Sequence, residues 1–139
     1  DAVPVVTSFL ERPDGRILLL RRSEKVRTFR GRWAAVSGYM EASPPETQAR
    51  QEIREEVGFA DAEVERVATA PPVYARDGPR MFVVHPFRFR VRRSDVRLDW
   101  EHTESEWVEP GEILRRPTVP KLDRVWAAVA PPASEEKRV

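Results

Sequence analysis

The stretch Ser43-Pro44-Pro45-Glu46, together with the dozen or so residues behind it, constrains this chain more than any other segment. A Ser three residues ahead of a Glu, with Pro at the first helical position, has the form of a helix start with a capping box. Behind it Ala49, Ile53 and Val57 recur every fourth residue, the spacing of a core-facing helical stripe. Gly58 then supplies a C-terminal stop onto which Phe59 can fold back. These signals predict a helix over about 44–57.

Strand signals surround that helix. Val3–Leu10 is rich in Val, Thr and Phe, the Arg12-Pro13-Asp14-Gly15 run has turn chemistry, and Ile17–Leu20 reads as a buried strand, so a hairpin is expected. Residues 23–32 are polar and basic, hence loop, and Trp33–Val36 is a short apolar segment. Further strands are expected at Glu63–Ala70, Met81–Arg92 and Glu106–Val108, a helical turn at Gly111–Arg115, and a helix at Pro120–Val129 with Leu122, Val125, Trp126 and Val129 inward. In the second of these strands Phe87, Phe89 and Val91 alternate with Arg88, Arg90 and Arg92, which predicts a half-buried strand with a solvated arginine face. Strands on both sides of a central helix, with a helix at the end, indicate a layered α/β fold with a mixed sheet. Residues 1–130 read as one domain, and the Pro-rich, charged stretch 131–139 reads as disordered or as the start of a linker. The chain begins at Asp1 rather than Met, which fits a fragment of a larger protein.

Charge narrows the function. Twenty-four Lys and Arg stand against 23 Asp and Glu, a net charge of +1, which argues against a general polyanion binder. The total hides segregation: residues 12–32 carry eight basic groups and two acidic, whereas 98–113 carry six acidic groups and neither Lys nor Arg. Such blocks suit a solvated surface, or opposite walls of a site for metal and phosphate. No apolar run approaches the length of a membrane-spanning helix, and the start lacks the pattern of a signal peptide, so no membrane partner is expected. With no Cys and only His85 and His102, disulfides, thiol catalysis and multi-histidine metal sites are excluded, and a cytoplasmic location is compatible.

Glu52, Glu55 and Glu56 fall at i, i+3 and i+4 of the expected helix, on one face. Like charges at that spacing repel by a few tenths of a kcal/mol, about 0.2–0.5 per pair. A divalent cation would remove the repulsion, and oxygen ligands suit Mg²⁺, Mn²⁺ or Ca²⁺. By spacing alone an ordinary solvated helix face fits as well.

The context of the three glutamates decides between those readings. The run from Gly38 to Phe59, above all Glu52-Ile53-Arg54-Glu55-Glu56-Val57-Gly58-Phe59, resembles the signature of the Nudix hydrolase superfamily. That signature is Gly, five residues, Glu, seven residues, then Arg-Glu-apolar-x-Glu-Glu-x-Gly-apolar. Arg21-Arg22-Ser23, Gly31-x-Trp33 and the acidic stretch ending at Trp107-Val108 are also similar to the family, so the resemblance covers about residues 3–130. It implies a Nudix-like α/β/α sandwich with a mixed β-sheet, and Mg²⁺- or Mn²⁺-dependent hydrolysis of a diphosphate linkage in a nucleotide-like small molecule. It further implies Glu52, Glu55 and Glu56 as metal ligands with the Gly38 carbonyl, and Glu52, Glu55 and Glu101 as the catalytic set. For substrate binding it points to Arg22, with Arg32 and Tyr39 as further candidates. A homodimer is compatible, as many relatives pair.

Two departures stand in the signature. Counted from Gly38 its first half is one residue short, with Ser43-Pro44 where the early Glu belongs, and Gln51 replaces the Arg that usually orients a neighbouring glutamate. They motivate a second reading, a weak or inactive Nudix module that binds a nucleotide for regulation. A third, nucleic-acid binding through Arg88, Arg90, Arg92 and Arg93, has only one Arg-rich strand behind it.

Overall fold

A computed structural model describes residues 1–41 and 43–132; Ala42 and residues 133–139 of the expected tail lie outside the described residues. In chain order the strands are β1 (Ala2–Glu11), β2 (Ile17–Arg22), β3 (Trp33–Ala34), β4 (Val36–Tyr39), β5 (Val64–Thr69), β6 (Val73–Asp77), β7 (Arg80–Val91) and β8 (His102–Val108). The helices are α1 (Pro45–Val57) and α2 (Leu122–Val129), with short 3-10 turns at Asp61–Glu63 and Pro110–Arg115.

All eight strands join one mixed sheet. β1 lies parallel to β7 over Ala2–Glu11 and antiparallel to β2 and β4. β2 carries β3 and β8, and β7 carries β5 and β6. The apolar run Ile17–Leu20 shows why helices cover both faces. Side chains alternate across a strand, and here Leu18 and Leu20 pack under α1 with Ile53 and Phe89, while Ile17 and Leu19 pack under α2 with Leu122 and Val125. A strand buried on both sides reads as a continuous apolar run, not an alternating one. The expected mixed-sheet α/β/α sandwich is therefore the observed one.

Helix α1 begins and ends for different reasons. Gly58 closes it in the left-handed region (φ 82°), its N–H reaching the carbonyls of Ile53 and Arg54, and Phe59 folds into the core as expected. The expected capping box does not form: Pro44 is the N-cap and no side chain caps the helix. Glu46 is held instead by Arg50 at 3.0 Å and by Arg66 of β5 at 2.8 Å, so two guanidinium groups outcompete a backbone N–H for its carboxylate.

Three strands, β3, β4 and β6, lie in segments not expected to be strands, and β8 starts at His102, four residues before the expected segment. The expected arginine face of β7 is corrected as well. Arg88 is buried beneath α2, with Nη1 donating to Glu11 at 2.7 Å and Nε to the Val129 carbonyl at 2.6 Å. Only Arg90 and Arg92 of that row are exposed, because the C-terminal helix covers the face the period assigned to water.

Candidate active site

Two chain crossings bring the site together. Gly38, near the end of β4, lies opposite Val6 of β1 and beneath Glu52 of α1. A Cβ on Gly38 would stand 2.3 Å from the Glu52 carboxyl carbon, so the absence of a side chain there makes room for the carboxylate. On the other side Arg22 at the end of β2 pairs with His102 at the start of β8, just past a register shift in the ladder. The Ser23 N–H donates to the Glu101 carbonyl at 2.7 Å, clamping the acidic loop to the end of β2. Irregularities of this kind re-aim side chains beside functional sites.

The three helix glutamates do not share one environment. Successive residues turn by about 100°, and here Glu56 faces the sheet, 1% exposed, Glu52 sits half-buried and Glu55 is exposed to solvent. Neither carboxylate oxygen of Glu56 has a hydrogen-bond partner. Burial first, and then the adjacent Glu52 carboxyl, push the Glu56 pKa well above its ordinary value. Burial likewise raises Glu52, Glu101 and Asp99. His102 is buried, its Nδ1 3.0 Å from Asp99 Oδ1 and its Nε2 3.8 Å from Glu56 Oε1. Burial, helped by the nearby Arg22, pulls its pKa down to about 4. The imidazole is therefore neutral near pH 7 and supplies no charge to Glu56.

Gln48 holds Glu52 in place. Wholly buried one turn earlier on α1, its Nε2 donates to Glu52 Oε2 at 2.7 Å. Gln51, at the position of the signature Arg, donates instead to the exposed Glu55 at 3.0 Å. Glu104 is engaged by Arg21 at 2.7 Å on the outer face of the sheet, whereas Glu101 reaches the cavity.

That cavity, of about 520 Å³, has a charged end and an apolar end. Arg22, Glu52 and Glu101 line the first; Val5, Ala75, Phe82, Val84, Leu122 and Val125 line the second. Arg22 is braced by its own loop, Nε donating to the Thr28 carbonyl at 2.9 Å. Tyr39 stands exposed at the rim, and Gly38 lines the wall beside it. Arg32 is not among the lining residues and donates to the Thr118 carbonyl at 3.1 Å. Glu55 also lies outside the lining.

Among the described residues no three His, Asp or Glu side chains stand close enough to enclose an ion. The donor set nevertheless fits a hard divalent cation. A buried carboxylate with two partnerless oxygens is costly unless a cation or proton meets it, and a second carboxylate lies beside it, oriented by an amide. Gln48, Asp99 and the apolar walls other than Phe82 are not singled out by the sequence. Gln48 lies at i−4 from Glu52, a helix pairing that could have been read. The walls come from three strands and a helix far apart in the chain and left no local signal.

The NUDIX domain family model matches residues 2–129. No curated protein sequence matches the chain. Among solved structures, the MutT protein from Methanosarcina mazei Go1 superposes with a TM-score of 0.74 at 27% identity, over 88% of each chain. A C. elegans Ap4A hydrolase gives 0.73 at 18% identity, over 91% of this chain and 93% of that one. The NUDIX domain of Shewanella oneidensis NrtR, complexed with ADP ribose, gives 0.74 at 16% identity, over 98% of this chain and 88% of that one.

Proposed function

This chain belongs to the Nudix family, and from that premise we propose that it hydrolyses a diphosphate linkage in a nucleotide-like small molecule with the help of a divalent ion. One observation carries the reading: the buried, partnerless Glu56 carboxylate beside Glu52, next to a cavity whose charged end also holds Glu101 and Arg22.

Glu52 and Glu56, with the Gly38 carbonyl, would hold Mg²⁺ or Mn²⁺, and Glu55 would reach it from the solvent side. When bound, the ion supplies positive charge to the phosphate oxygens that gain negative charge in the transition state. The remaining work falls to side chains of this chain. Arg22, which lines the cavity, takes a non-bridging phosphate oxygen through Nη1, since its Nε and Nη2 are both held by Thr28. Glu101 accepts the proton of the attacking water at a carboxylate oxygen. A pKa raised by burial and by Asp99 brings it nearer the range in which a general base is effective. The water oxygen bonds to one phosphorus, the bridging P–O bond breaks, and the second phosphate group leaves with that electron pair. Tyr39 can stack on the organic part from the rim. Residues 1–130 act in this reading as one domain, in the cytoplasm.

The test is release of phosphate or a nucleoside monophosphate from a nucleotide panel with Mg²⁺ and with Mn²⁺. Glu56→Gln abolishes that release; unchanged turnover in the variant would sink the assignment. Gln51, spent on Glu55, favours a second reading in which the module binds a nucleotide without turning it over. Thermal stabilisation by a nucleotide, with no product from any panel member, is its signature.

A further inference from the structure

His102 lies buried beside Glu56, and the proposed reaction gives it no task. Its place there follows from an irregularity in β8. Side chains alternate along a strand, so a regular β8 would set His102 on the face of Glu104, whose carboxylate meets Arg21 on the outer face of the sheet. The register shift between Arg21 and Arg22 breaks the alternation, and the ring instead faces Glu56 of α1. An extra residue in a ladder re-aims side chains in this way.

Asp99 fixes which ring nitrogen carries the hydrogen. A carboxylate only accepts, and Asp99 Oδ1 stands 3.0 Å from Nδ1, so Nδ1 is the donor. In a neutral imidazole the lone pair then lies on Nε2. Nε2 stands 3.8 Å from Glu56 Oε1, beyond hydrogen-bonding distance, and the two side chains are 3% and 1% exposed. Neither oxygen of Glu56 has a hydrogen-bond partner. Two electron-pair donors therefore face each other where bulk water does not reach, an arrangement that costs free energy unless a cation joins them. The gap suits one: donors each about 2.1 Å from the same ion stand at most about 4.2 Å apart.

We infer that His102 Nε2 is a ligand of the divalent ion together with Glu56, and that Asp99 is the positioning residue that holds the ring to it. The inference rests on the reading of Glu52 and Glu56 as the metal site, and it adds a nitrogen to an otherwise all-oxygen set. An ion on one ring nitrogen and a carboxylate on the other is a common means of fixing a ligating histidine. Mg²⁺ takes oxygen, whereas imidazole suits the later first-row ions. The site therefore favours Co²⁺ over Mg²⁺ by more than carboxylates alone provide.

Electron-spin-echo spectroscopy of the full chain loaded with Mn²⁺ tests this without any variant, because a directly bound imidazole nitrogen modulates the echo. Imidazole modulation is expected, lost in His102→Asn and kept in His85→Asn, which alters the only other histidine. Calorimetry with Co²⁺ and with Mg²⁺ gives the second readout. In His102→Asn the Co²⁺ affinity should fall at least about 10-fold further than the Mg²⁺ affinity, and Asp99→Ala should weaken Co²⁺ binding by about 10–100-fold. A Mn²⁺-loaded chain without imidazole modulation overturns the inference. So does an equal fall of both affinities in His102→Asn, the mark of a merely structural histidine, or an Asp99→Ala variant that binds Co²⁺ as the wild type does. Binding of none of the three ions overturns the metal reading itself, so the two failures are distinguishable.

Discussion

The side-chain amide of Gln48, wholly buried in α1, donates to the Glu52 carboxylate at 2.7 Å, and that one bond fixes the half-buried glutamate of the helix. A carboxylate that ligates a metal performs best when a partner outside the ligand set orients it. Gln48→Ala is expected to weaken Mn²⁺ binding by about 10–100-fold. Gln51→Ala, which loosens only the exposed Glu55, should change it by less than about 3-fold, in line with the small effect of exposed helix pairs. Titration calorimetry with Mn²⁺ distinguishes them. Equal losses in the two variants would show that Gln48 has no special hold on Glu52.

Gly38→Ala separates function from stability. The added Cβ meets the end of the Glu52 side chain, a flexible group that can swing away at small cost. Stability should fall by less than about 1 kcal/mol, while displacement of the carboxylate from Gln48 lowers Mn²⁺ affinity at least about 10-fold. Urea unfolding and metal titration on the same preparation check the two halves.

The pH dependence of the metal-free protein has two opposing parts. Glu56, with its native pKa raised, keeps a proton that the unfolded chain releases above its ordinary value near 4.5. Its contribution is full below that value and is lost as pH rises toward the native pKa. His102 runs the other way: its native pKa is about 4 against 6.5 unfolded, so its contribution is full above 6.5 and is lost as pH falls toward 4. Glu56→Gln should therefore gain more stability than the wild type as pH climbs from 4.5 to 6.5. Thermal melts in EDTA across this interval give the two slopes, and parallel slopes would contradict the assignment.

Arg88 and Glu11 form a buried pair, 7% and 8% exposed, that also ties the last turn of α2 to the sheet through the Val129 carbonyl. Removing Arg88 leaves the buried Glu11 carboxylate only the half-exposed Arg90, 4.0 Å away, so Arg88→Ala should cost about 3–5 kcal/mol. The double variant Glu11→Leu with Arg88→Met replaces the pair by apolar bulk and should recover most of that loss. Denaturant unfolding of both variants decides it; a double variant no more stable than Arg88→Ala would show that the Val129 tie, not the ion pair, matters.

Local chemistry carried much of this protein. The four-residue stripe of Ala49, Ile53 and Val57 with Gly58 behind it is a helix in any surroundings that bury one face, and Glu52, Glu55 and Glu56 follow from it by rotation alone. Ile17–Leu20 announces a strand covered on both sides, and with it the layered fold, because only burial on both faces removes the need for alternation. Tertiary structure alone decided the rest. Which glutamate is buried depends on where β4 and β8 lie against α1. Arg88 turned inward because α2 lands on it. Gln48 replaced Gln51 as the positioning amide because the turn of the helix points residue 48 under the sheet and residue 51 toward water. The apolar cavity is assembled from β1, β6, β7 and α2, more than a hundred residues apart at the extremes, and such a surface exists only once the sheet has formed.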